Sequence, residues 1–314
     1  MLLRFYLGLM GWLMGLAGAR RCRATVEDGV EVVYWRMGKG REPWLLLHGL
    51  GSVAASWGWV LRALSRDCRL VVPELSSLGG TRAPEGGLTV AQGARMAARL
   101  IEQEVGGGPA TVAGLSLGGW MAVRLALARP ELVERLVLVD AAGYRDQDWE
   151  RISELIAIDD LAGVERIYAA MFHRVPWMMR FSRGSFLRAY TSPGVRNILR
   201  NTAEQDTYSD HDLARLPMPV ALIWGERDGV FGLQTARRMA AALPESRLEV
   251  LPDCSHAVHL ECPRRLAKAI ERFRRATPLA ARATSGLPKP AAIPARPAGP
   301  ASPAPAIPAA RQPR

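Results

Sequence analysis

The chain has 314 residues, of which 49% are hydrophobic and 23% are charged, and it contains four cysteines. This composition is typical of a globular protein, and it excludes a collagen-like, a wholly disordered and a disulfide-scaffold chain. The length suits one large domain of the α/β type or two small ones. A single apolar segment near the N-terminus is a candidate membrane span, so a polytopic membrane protein is also excluded.

The net charge of +11 is concentrated at the two ends of the chain. Residues 1–23 and 277–314 together contain nine basic residues and no acidic ones, which leaves 32 basic and 30 acidic residues in 24–276. The central region is therefore nearly neutral and implies no compact basic face. We do not expect nucleic acid as a partner.

The N-terminal segment, residues 1–23, begins with the apolar run MLLRFYLGLMGWLMGLAGA, which has no polar face. The part after Arg4 is shorter than the roughly 20 residues that a straight membrane span needs. Three interpretations remain open: an uncleaved anchor on a membrane surface, a signal peptide cleaved after Ala19, and a hydrophobic helix docked on the body. The following arginine cluster resists translocation. It favours an anchored protein on the cytoplasmic face, with export after cleavage as the alternative.

The C-terminal segment, residues 277–314, consists of alanine and proline with scattered arginine. Proline lacks a backbone donor, and the segment has almost no large side chains to bury, so it cannot form a core. It is predicted to be disordered or locally polyproline II.

The body, residues 24–276, alternates strand-like and helix-like patterns. Residues 26–37 alternate around Asp28-Gly29, which predicts a hairpin. Short runs that are rich in Val and Leu and apolar on both faces then predict buried parallel strands; they are 44–47, 70–73, 110–113, 136–139, 220–224 and 248–251. Helices are predicted after Thr89, where Gln92 completes a capping box, and over 117–128, 234–243 and 263–274. This order predicts an α/β fold with a doubly wound, mostly parallel sheet.

The alternation breaks over residues 141–215, a helix-like stretch too long for a plain crossover. We interpret it as a helical cap inserted over the strand ends. Consecutive apolar residues at 177–179 surround a helix, so they cannot all face the core of the cap. Trp177 and Met178 are therefore predicted to contact an apolar substrate.

The motif Gly114-Leu115-Ser116-Leu117-Gly118-Gly119 lies between a predicted strand and a predicted helix. This is the context that a nucleophile elbow requires, because a sharp turn must project the serine hydroxyl above the sheet. The N–H of Leu117 lies at a helix N-terminus and is predicted to stabilise an oxyanion. The N–H of Leu50, in the loop that begins with His48-Gly49, is predicted as the second donor.

A serine nucleophile needs a base and an orienting acid. His256 lies on the loop after the last predicted strand and is favoured as the base over His259, while His173 and His211 fall in the cap. Asp228 and Asp140 both end strands at the edge where an open α/β sheet binds its ligands, and the residues alone leave both open as the acid.

The chain resembles the α/β-hydrolase fold family in four places. These are His48-Gly49, the elbow at 114–119, the sequence GERD at 225–228 and the sequence SHAVHLECP from Ser255. The resemblance covers about residues 26–275. Residues 224–265 and the N-terminal segment are similar to membrane-anchored monoacylglycerol lipases, which implies Asp228 as the acid. A serine nucleophile differs from the aspartate of epoxide hydrolases and haloalkane dehalogenases. The chain departs from the family where relatives often carry an Asp-Leu-Pro-Gly type segment, because residues 73–80 read PELSSLGG.

The resemblance and the residues together predict a serine hydrolase that cleaves small apolar carboxylic esters, of medium chain length or of the monoacylglycerol type, through an acyl-enzyme on Ser116. A C–C bond hydrolase or a cofactor-free perhydrolase with the same triad is the alternative. A binding protein that has lost catalysis is disfavoured by the intact triad. No cofactor and no metal are predicted, and Cys22, Cys254 and Cys262 are predicted to be thiols.

Overall fold

The computed structural model describes residues 11–26, 29–75, 79–82, 88–105, 108–201 and 206–279. Within the cap it does not describe the side chains of Met178, Asn197, Leu199, Arg200 and Asn201. Residues 280–314 of the segment predicted as a tail, and the first ten residues of the chain, lie outside this part.

Eight strands form one mostly parallel sheet in the order β1-β2-β4-β3-β5-β6-β7-β8. Only the β1–β2 and β2–β4 pairs are antiparallel. The strands are β1 Arg20–Thr25, β2 Glu31–Met37, β3 Glu42–Leu47, β4 Cys68–Pro73, β5 Ala110–Leu115, β6 Val133–Val139, β7 Val220–Gly225 and β8 Ser246–Leu251. The predicted α/β class and the parallel sheet are confirmed, and each predicted apolar run lies within one of these strands.

Helices cover both faces of the sheet. Alternate strand residues point to opposite faces, so Leu45 and Leu47 pack with one core cluster and Trp44 and Leu46 with the other. The helices of the body are α1 Gly58–Leu64, α2 Val90–Glu104, α3 Leu117–Ala128, α10 Gly232–Ala242, α11 Val258–Glu261 and α12 Pro263–Ala276. Helices α2, α3 and α10 contribute to the first cluster, and α1 and α12 contribute to the second.

The first strand begins earlier than the sequence boundary at residue 24 predicts. The arginine-rich residues Arg20–Thr25 form β1 and pair with β2 in the hairpin. Its side chains are exposed or half-buried, as suits an edge strand that charged residues protect from pairing with another chain. The folded body also reaches past Ala276, because Arg135 donates a hydrogen bond of 2.8 Å to the carbonyl oxygen of Thr277.

The cap lies between β6 and β7, as predicted, and consists of six helices among the described residues: α4 Trp149–Ile156, α5 Leu161–Met171, α6 Trp177–Phe181, α7 Arg183–Tyr190, α8 Pro193–Asn201 and α9 Asp210–Leu213. Ser209 caps α9 and Asp160 caps α5 through side-chain bonds to backbone N–H groups.

The N-terminal segment is described from residue 11. Residues 11–16 are helical, and Met14 is buried in the second core cluster. Trp12, Leu13 and Leu16 are exposed. No helix in the described ranges is both long and apolar enough to cross a membrane.

Candidate active site

The turn between β5 and α3 holds Ser116 in a strained backbone conformation. Its φ of 52° and ψ of −117° lie in a region that residues other than glycine rarely adopt. A Cβ added at Gly114 would lie 2.3 Å from the carbonyl oxygen of Gly118, and one added at Gly118 would lie 2.2 Å from the carbonyl oxygen of Leu47. Both glycines are therefore required by close backbone contact, and the turn presents a half-buried serine at the carboxyl edge of the sheet.

His256 and Asp228 form a buried acid–base pair at the same edge. Asp228 follows β7, His256 follows β8, and Nδ1–H of His256 donates to Oδ2 of Asp228 at 3.1 Å. The other carboxylate oxygen, Oδ1, accepts hydrogen bonds from the N–H groups of Val230 (2.7 Å) and Phe231 (3.0 Å). Because Nδ1 carries the proton, Nε2 of His256 is left as a base.

The second candidate acid, Asp140, lies beside this pair but is engaged differently. It is fully buried after β6 with φ 43°, and its Oδ1 accepts a hydrogen bond of 2.8 Å from the N–H of Gly225. Its Oδ2 has no hydrogen-bond partner in the described structure. Burial, and next the charge of Asp228, raise the pKa of the Asp140 carboxyl well above its usual value. The imidazole therefore pairs with Asp228, and Asp140 is held next to that carboxylate.

Backbone bonds across the sheet edge connect the serine turn to these acids. The N–H of Ser116 donates to the carbonyl oxygen of Val139, the last residue of β6, at 2.9 Å. Asp140 then joins β6 to β7 through Gly225. Ligand atoms of Asp140, Asp228 and His256 all lie within 4.8 Å of one another. Ser116, both acids and the histidine are thus brought to one edge of four neighbouring strands.

The loop after β3 lies against the serine and is fixed by His48. A Cβ at Gly49 would lie 3.4 Å from Cβ of Ser116. Nε2 of His48 accepts a bond from the N–H of Leu75, and its Nδ1–H donates to the carbonyl oxygen of Gly49, each at 2.9 Å. Burial lowers the pKa of His48, so the ring is neutral. Fixing the Gly49 carbonyl also fixes the opposite side of that planar peptide, which is the N–H of Leu50.

Leu117 occupies the first position of α3. The first N–H groups of a helix have no acceptor within the helix and carry its partial positive charge. An oxygen that becomes negative beside Ser116 would therefore meet a preorganised donor. Together the turn, the pair and the two loops can support attack by a hydroxyl on an acyl carbon.

A known protein family matches most of the chain, including the residues of this site. The profile of the alpha/beta hydrolase family matches residues 44–269, which include the serine turn, the cap and the histidine loop. The chain belongs to this family.

Named relatives and a solved structure are similar to most of the chain. The chain is 25% identical over 256 residues to monoacylglycerol lipase ABHD6 of Rattus norvegicus, covering 73% of this chain and 74% of that protein. It is 27% identical over 264 residues to 2-hydroxy-6-oxo-6-(2'-aminophenyl)hexa-2,4-dienoic acid hydrolase of Metapseudomonas resinovorans, covering 80% and 90%. A solved structure of a thermophilic esterase is 26% identical with a TM-score of 0.69, covering 83% of this chain and all of that one.

The cap of this alpha/beta hydrolase holds the loops of both paired residues. The carbonyl oxygen of Ala170, near the end of α5, accepts bonds from the N–H of Gly229 (3.1 Å) and the hydroxyl of Ser255 (2.7 Å). The carbonyl oxygen of Met171 accepts a bond of 2.9 Å from the N–H of Ala257. A shift of α5 would therefore move the loops that carry Asp228 and His256.

The other histidines occupy different environments. His259 is half-buried near His256 and His48, and desolvation of its ring, followed by those two rings, lowers its pKa to about 3. Its Nδ1 has no hydrogen-bond partner in the described structure. In the cap, His173 is half-buried and His211 is exposed. Of the five histidines, the described contacts pair only His256 with an aspartate.

Of the two side chains predicted to contact substrate, the structure describes only that of Trp177. Trp177 begins α6 and is 74% exposed, with its ring at 6.3 Å from that of Phe181. The side chain of Met178 lies outside the described part of the chain. A substrate-binding role for either residue remains a prediction.

Glu74 is an important residue that the sequence pattern did not single out. It follows β4 directly and is buried. Its Oε1 accepts a bond of 3.1 Å from the indole N–H of Trp35, and its Oε2 accepts one of 3.0 Å from the N–H of Ala54. A Cβ at Gly79 would lie 2.2 Å from this carboxylate. Glycine at position 79 therefore leaves room for the Glu74 side chain. Through its two bonds, this carboxylate connects the loop after β3 to β2.

Replacing Glu74 by alanine is expected to destabilise the protein by about 3 kcal/mol, because two buried donors lose their acceptor. The turnover number should also fall, since the Ala54 N–H belongs to the loop that carries Leu50. Urea unfolding and ester kinetics measure the two effects. Glu150, which is exposed on α4, provides the control: Glu150→Ala should leave both unchanged. An unchanged unfolding midpoint in Glu74→Ala would refute this role.

The cysteines around the histidine form a bond that the sequence did not predict. Cys254 and Cys262, expected as thiols, form a disulfide with a Cα–Cα distance of 6.3 Å, which closes the loop around His256. Their spacing of eight residues does not by itself distinguish a bonded pair from two thiols. Cys22 and Cys68 are free.

Proposed function

We propose that this alpha/beta hydrolase is a serine hydrolase that cleaves apolar carboxylic esters of medium chain length or of the monoacylglycerol type. The observation that carries the proposal is the His256–Asp228 hydrogen bond at the sheet edge where the strained turn presents Ser116. Ser116, Asp228 and His256, which have the chemistry of nucleophile, orienting acid and base, follow β5, β7 and β8 in the chain order that the family uses.

In the proposed acylation step, Oγ of Ser116 forms a bond to the ester carbonyl carbon while Nε2 of His256 takes the hydroxyl proton. The carbonyl oxygen becomes an oxyanion, which accepts hydrogen bonds from the N–H groups of Leu50 and Leu117. Asp228 keeps Nδ1–H of the imidazole in place and stabilises the imidazolium. The carbon–oxygen bond of the ester then breaks, and the alcohol leaves with the proton from Nε2.

In the proposed deacylation step, Nε2 of His256 takes a proton from water as the water oxygen attacks the acyl carbon. The same two N–H groups hold the second oxyanion. The bond between that carbon and Oγ of Ser116 then breaks, the serine regains its proton from the imidazolium, and the carboxylic acid departs. No cofactor or metal takes part in this scheme.

Two kinds of relative bear on the reaction. The similarity to a monoacylglycerol lipase supports an ester substrate. The similarity to a hexadienoic acid hydrolase supports the second candidate, hydrolysis of a C–C bond with the same three residues. A cofactor-free perhydrolase would use them too. Turnover of acyl esters against turnover of a vinylogous diketone acid separates the first two candidates.

We expect kcat/KM to rise from acetyl to medium-chain esters. Each buried methylene contributes about 0.8 kcal/mol, so four more methylenes add about 3 kcal/mol of binding. Monoacylglycerols of matching length should also be turned over. The measurement is a series of p-nitrophenyl esters from acetyl to dodecanoyl, kept below the micelle concentration. A steady fall beyond acetyl would exclude the lipase proposal and leave a small-ester or C–C hydrolase.

We also propose that the N-terminal segment associates with a membrane surface. The support is its apolar sequence and the exposure of Trp12 and Leu16 on a helical turn whose Met14 packs on the body. Removing residues 1–10 together with Trp12→Ser and Leu16→Ser should lower the share of the protein in the membrane fraction and raise its share in the supernatant. An unchanged distribution would argue against this segment as the attachment.

The disulfide supports the exported alternative for the location of the folded body. Disulfides persist in oxidising compartments and are rare in the cytosol. We therefore propose that the loop from Cys254 to Cys262 resides outside the cytosol when the bond is present.

Loss of the disulfide is expected to lower stability by about 2.5 kcal/mol, the chain-entropy value for a loop of this length. Cys254→Ser/Cys262→Ser should show this decrease in urea unfolding, whereas Cys22→Ser should not. Maleimide trapping of thiols in intact cells tests the compartment. Full labelling of both cysteines without reductant would place the body in a reducing compartment.

A further inference from the structure

The short helix α6 presents two large aromatic side chains to solvent. Trp177 is 74% exposed and Phe181 is 79% exposed, and they lie one helical turn apart with their rings in edge-to-face contact. Met179, between them in sequence, is half-buried and packs against the core. The helix is therefore already anchored by Met179, and the exposed rings are not part of the core of the cap.

Basic side chains outnumber acidic ones around these rings. Residues 166–203 contain seven arginines and neither aspartate nor glutamate. Arg174 precedes Trp177 and Arg180 lies between the two aromatic residues in the sequence; both arginines are exposed, and among the described residues neither side chain is in an ion pair. The carboxylate of Glu261 approaches Arg174 only through the backbone N–H. Other cap arginines are partly neutralised, as Arg183 is by Glu165.

We propose that Arg174, Trp177, Arg180 and Phe181 form a docking surface, here called the cap-edge surface, for a bilayer that contains anionic phospholipid. Aromatic side chains are favoured at the boundary between headgroups and acyl chains. Arginines beside them are attracted to the negative surface potential. Charge complementarity with the cluster of unpaired cations selects an anionic membrane rather than a second copy of this basic surface.

Docking at this place would act on the site through the cap. The cap-edge surface begins three residues after Met171, whose carbonyl oxygen holds the loop of His256. It is separate in sequence from the N-terminal segment and does not depend on the serine chemistry. A membrane contact at the cap-edge surface would hold the catalytic edge beside the lipid phase.

A fluorescent probe at position 181 tests the surface in the full-length protein. Phe181→Cys in a Cys22→Ser background carries an environment-sensitive label, since Cys68 is buried and the other two cysteines are bonded. The matched control carries the label at Ser246→Cys, which is exposed at the amino end of β8, the opposite end of the strand from the site. Vesicles of phosphatidylcholine with phosphatidylglycerol should shift the emission of the first probe to the blue and leave the second unchanged.

Neutralising the arginines tests the charge. Arg174→Gln/Arg180→Gln should weaken binding to the anionic vesicles by at least about fivefold, since each cation near such a surface contributes about 1 kcal/mol. The control pair Arg237→Gln/Arg247→Gln removes the same charge from exposed arginines on α10 and β8. It should change binding less than twofold.

Several outcomes would overturn the proposal. An unchanged probe at 181 on protein that co-floats with anionic vesicles would show that another surface holds the membrane. An equal shift on pure phosphatidylcholine would remove the requirement for anionic lipid, and equal losses in both arginine pairs would show a general charge effect. A shift that grows with protein concentration without vesicles would identify a second copy as the occupant. None of these readouts depends on turnover, so failure of the esterase proposal would be recognised separately.

Discussion

Replacing Ser116 by alanine is expected to lower kcat for ester hydrolysis by on the order of 10⁴–10⁶ and to abolish labelling by a fluorophosphonate. The turn offers no second hydroxyl at this position, so no other group can form the acyl-enzyme. The fold should survive, because the bonds at this residue come from its backbone: its N–H donates to Val139, and its carbonyl oxygen accepts from Trp120 and Ala142. Alanine keeps all three.

A matched control separates loss of the nucleophile from loss of the fold. Ser65→Ala, at the end of α1, removes a half-buried hydroxyl far along the chain and should retain full activity and labelling. Thermal unfolding of Ser116→Ala should stay near that of the wild type. Normal turnover by this variant would exclude both the ester and the C–C proposal, since both begin at this oxygen.

The sequence was sufficient for the apolar strands and for four of the helices of the body, but not for α1 and α11. The run 117–128 is predicted and observed as one helix, because a glycine-rich turn sets its start and apolar residues continue around it. The capping box of Thr89 and Gln92 is formed as predicted. Both features depend on residues within one turn of each other, so local physics decides them.

Features that depend on distant partners could not be predicted in the same way. The first strand, β1, has no apolar period because it lies at the edge, and only pairing with β2 reveals it. Glu74 is recognised as a structural acid only when Trp35 and Ala54 arrive from other parts of the chain. The exposure of Trp177 depends on the packing of Met179 against the core. The sequence of a five-residue helix is too short to predict which of its faces is buried.

The candidate site falls between these cases. Each motif could be recognised in the sequence as polar residues directly after a predicted strand. The carboxyl ends of parallel strands meet at one edge of the sheet, so these residues were expected to lie together. The residues alone could not decide whether Asp228 or Asp140 is the orienting acid. Both residues follow strands, and either of them preserves the chain order serine, acid, histidine. In the structure Asp228 accepts the hydrogen bond from the imidazole, whereas Asp140 accepts one from a backbone N–H. The pairing of Cys254 with Cys262 likewise depends on how the fold brings the two residues together.

Asp228→Asn is therefore expected to lower kcat by on the order of 10³–10⁴, whereas Asp140→Asn should cost far less. An amide at 228 donates where the imidazole also donates, so it favours the wrong tautomer and removes the charge that stabilises the imidazolium. An amide oxygen at 140 still accepts from Gly225. Steady-state kinetics on both variants with one ester, at one pH, gives the ranking. A larger loss in Asp140→Asn would move the orienting role to that residue.

The stability of Asp140→Asn should depend on pH in a way that identifies the buried acid. Burial, and then the charge of Asp228, raise the pKa of Asp140 in the folded protein, so the folded state binds this proton more tightly than the unfolded chain. Its stabilising contribution is complete below the unfolded value, near 4, and is lost as the pH rises through the folded value. The variant has no such group. Its free energy of unfolding relative to wild type should increase from about pH 4 upward in urea titrations. A difference that stays constant with pH would mean that Asp140 titrates normally despite its burial beside Asp228.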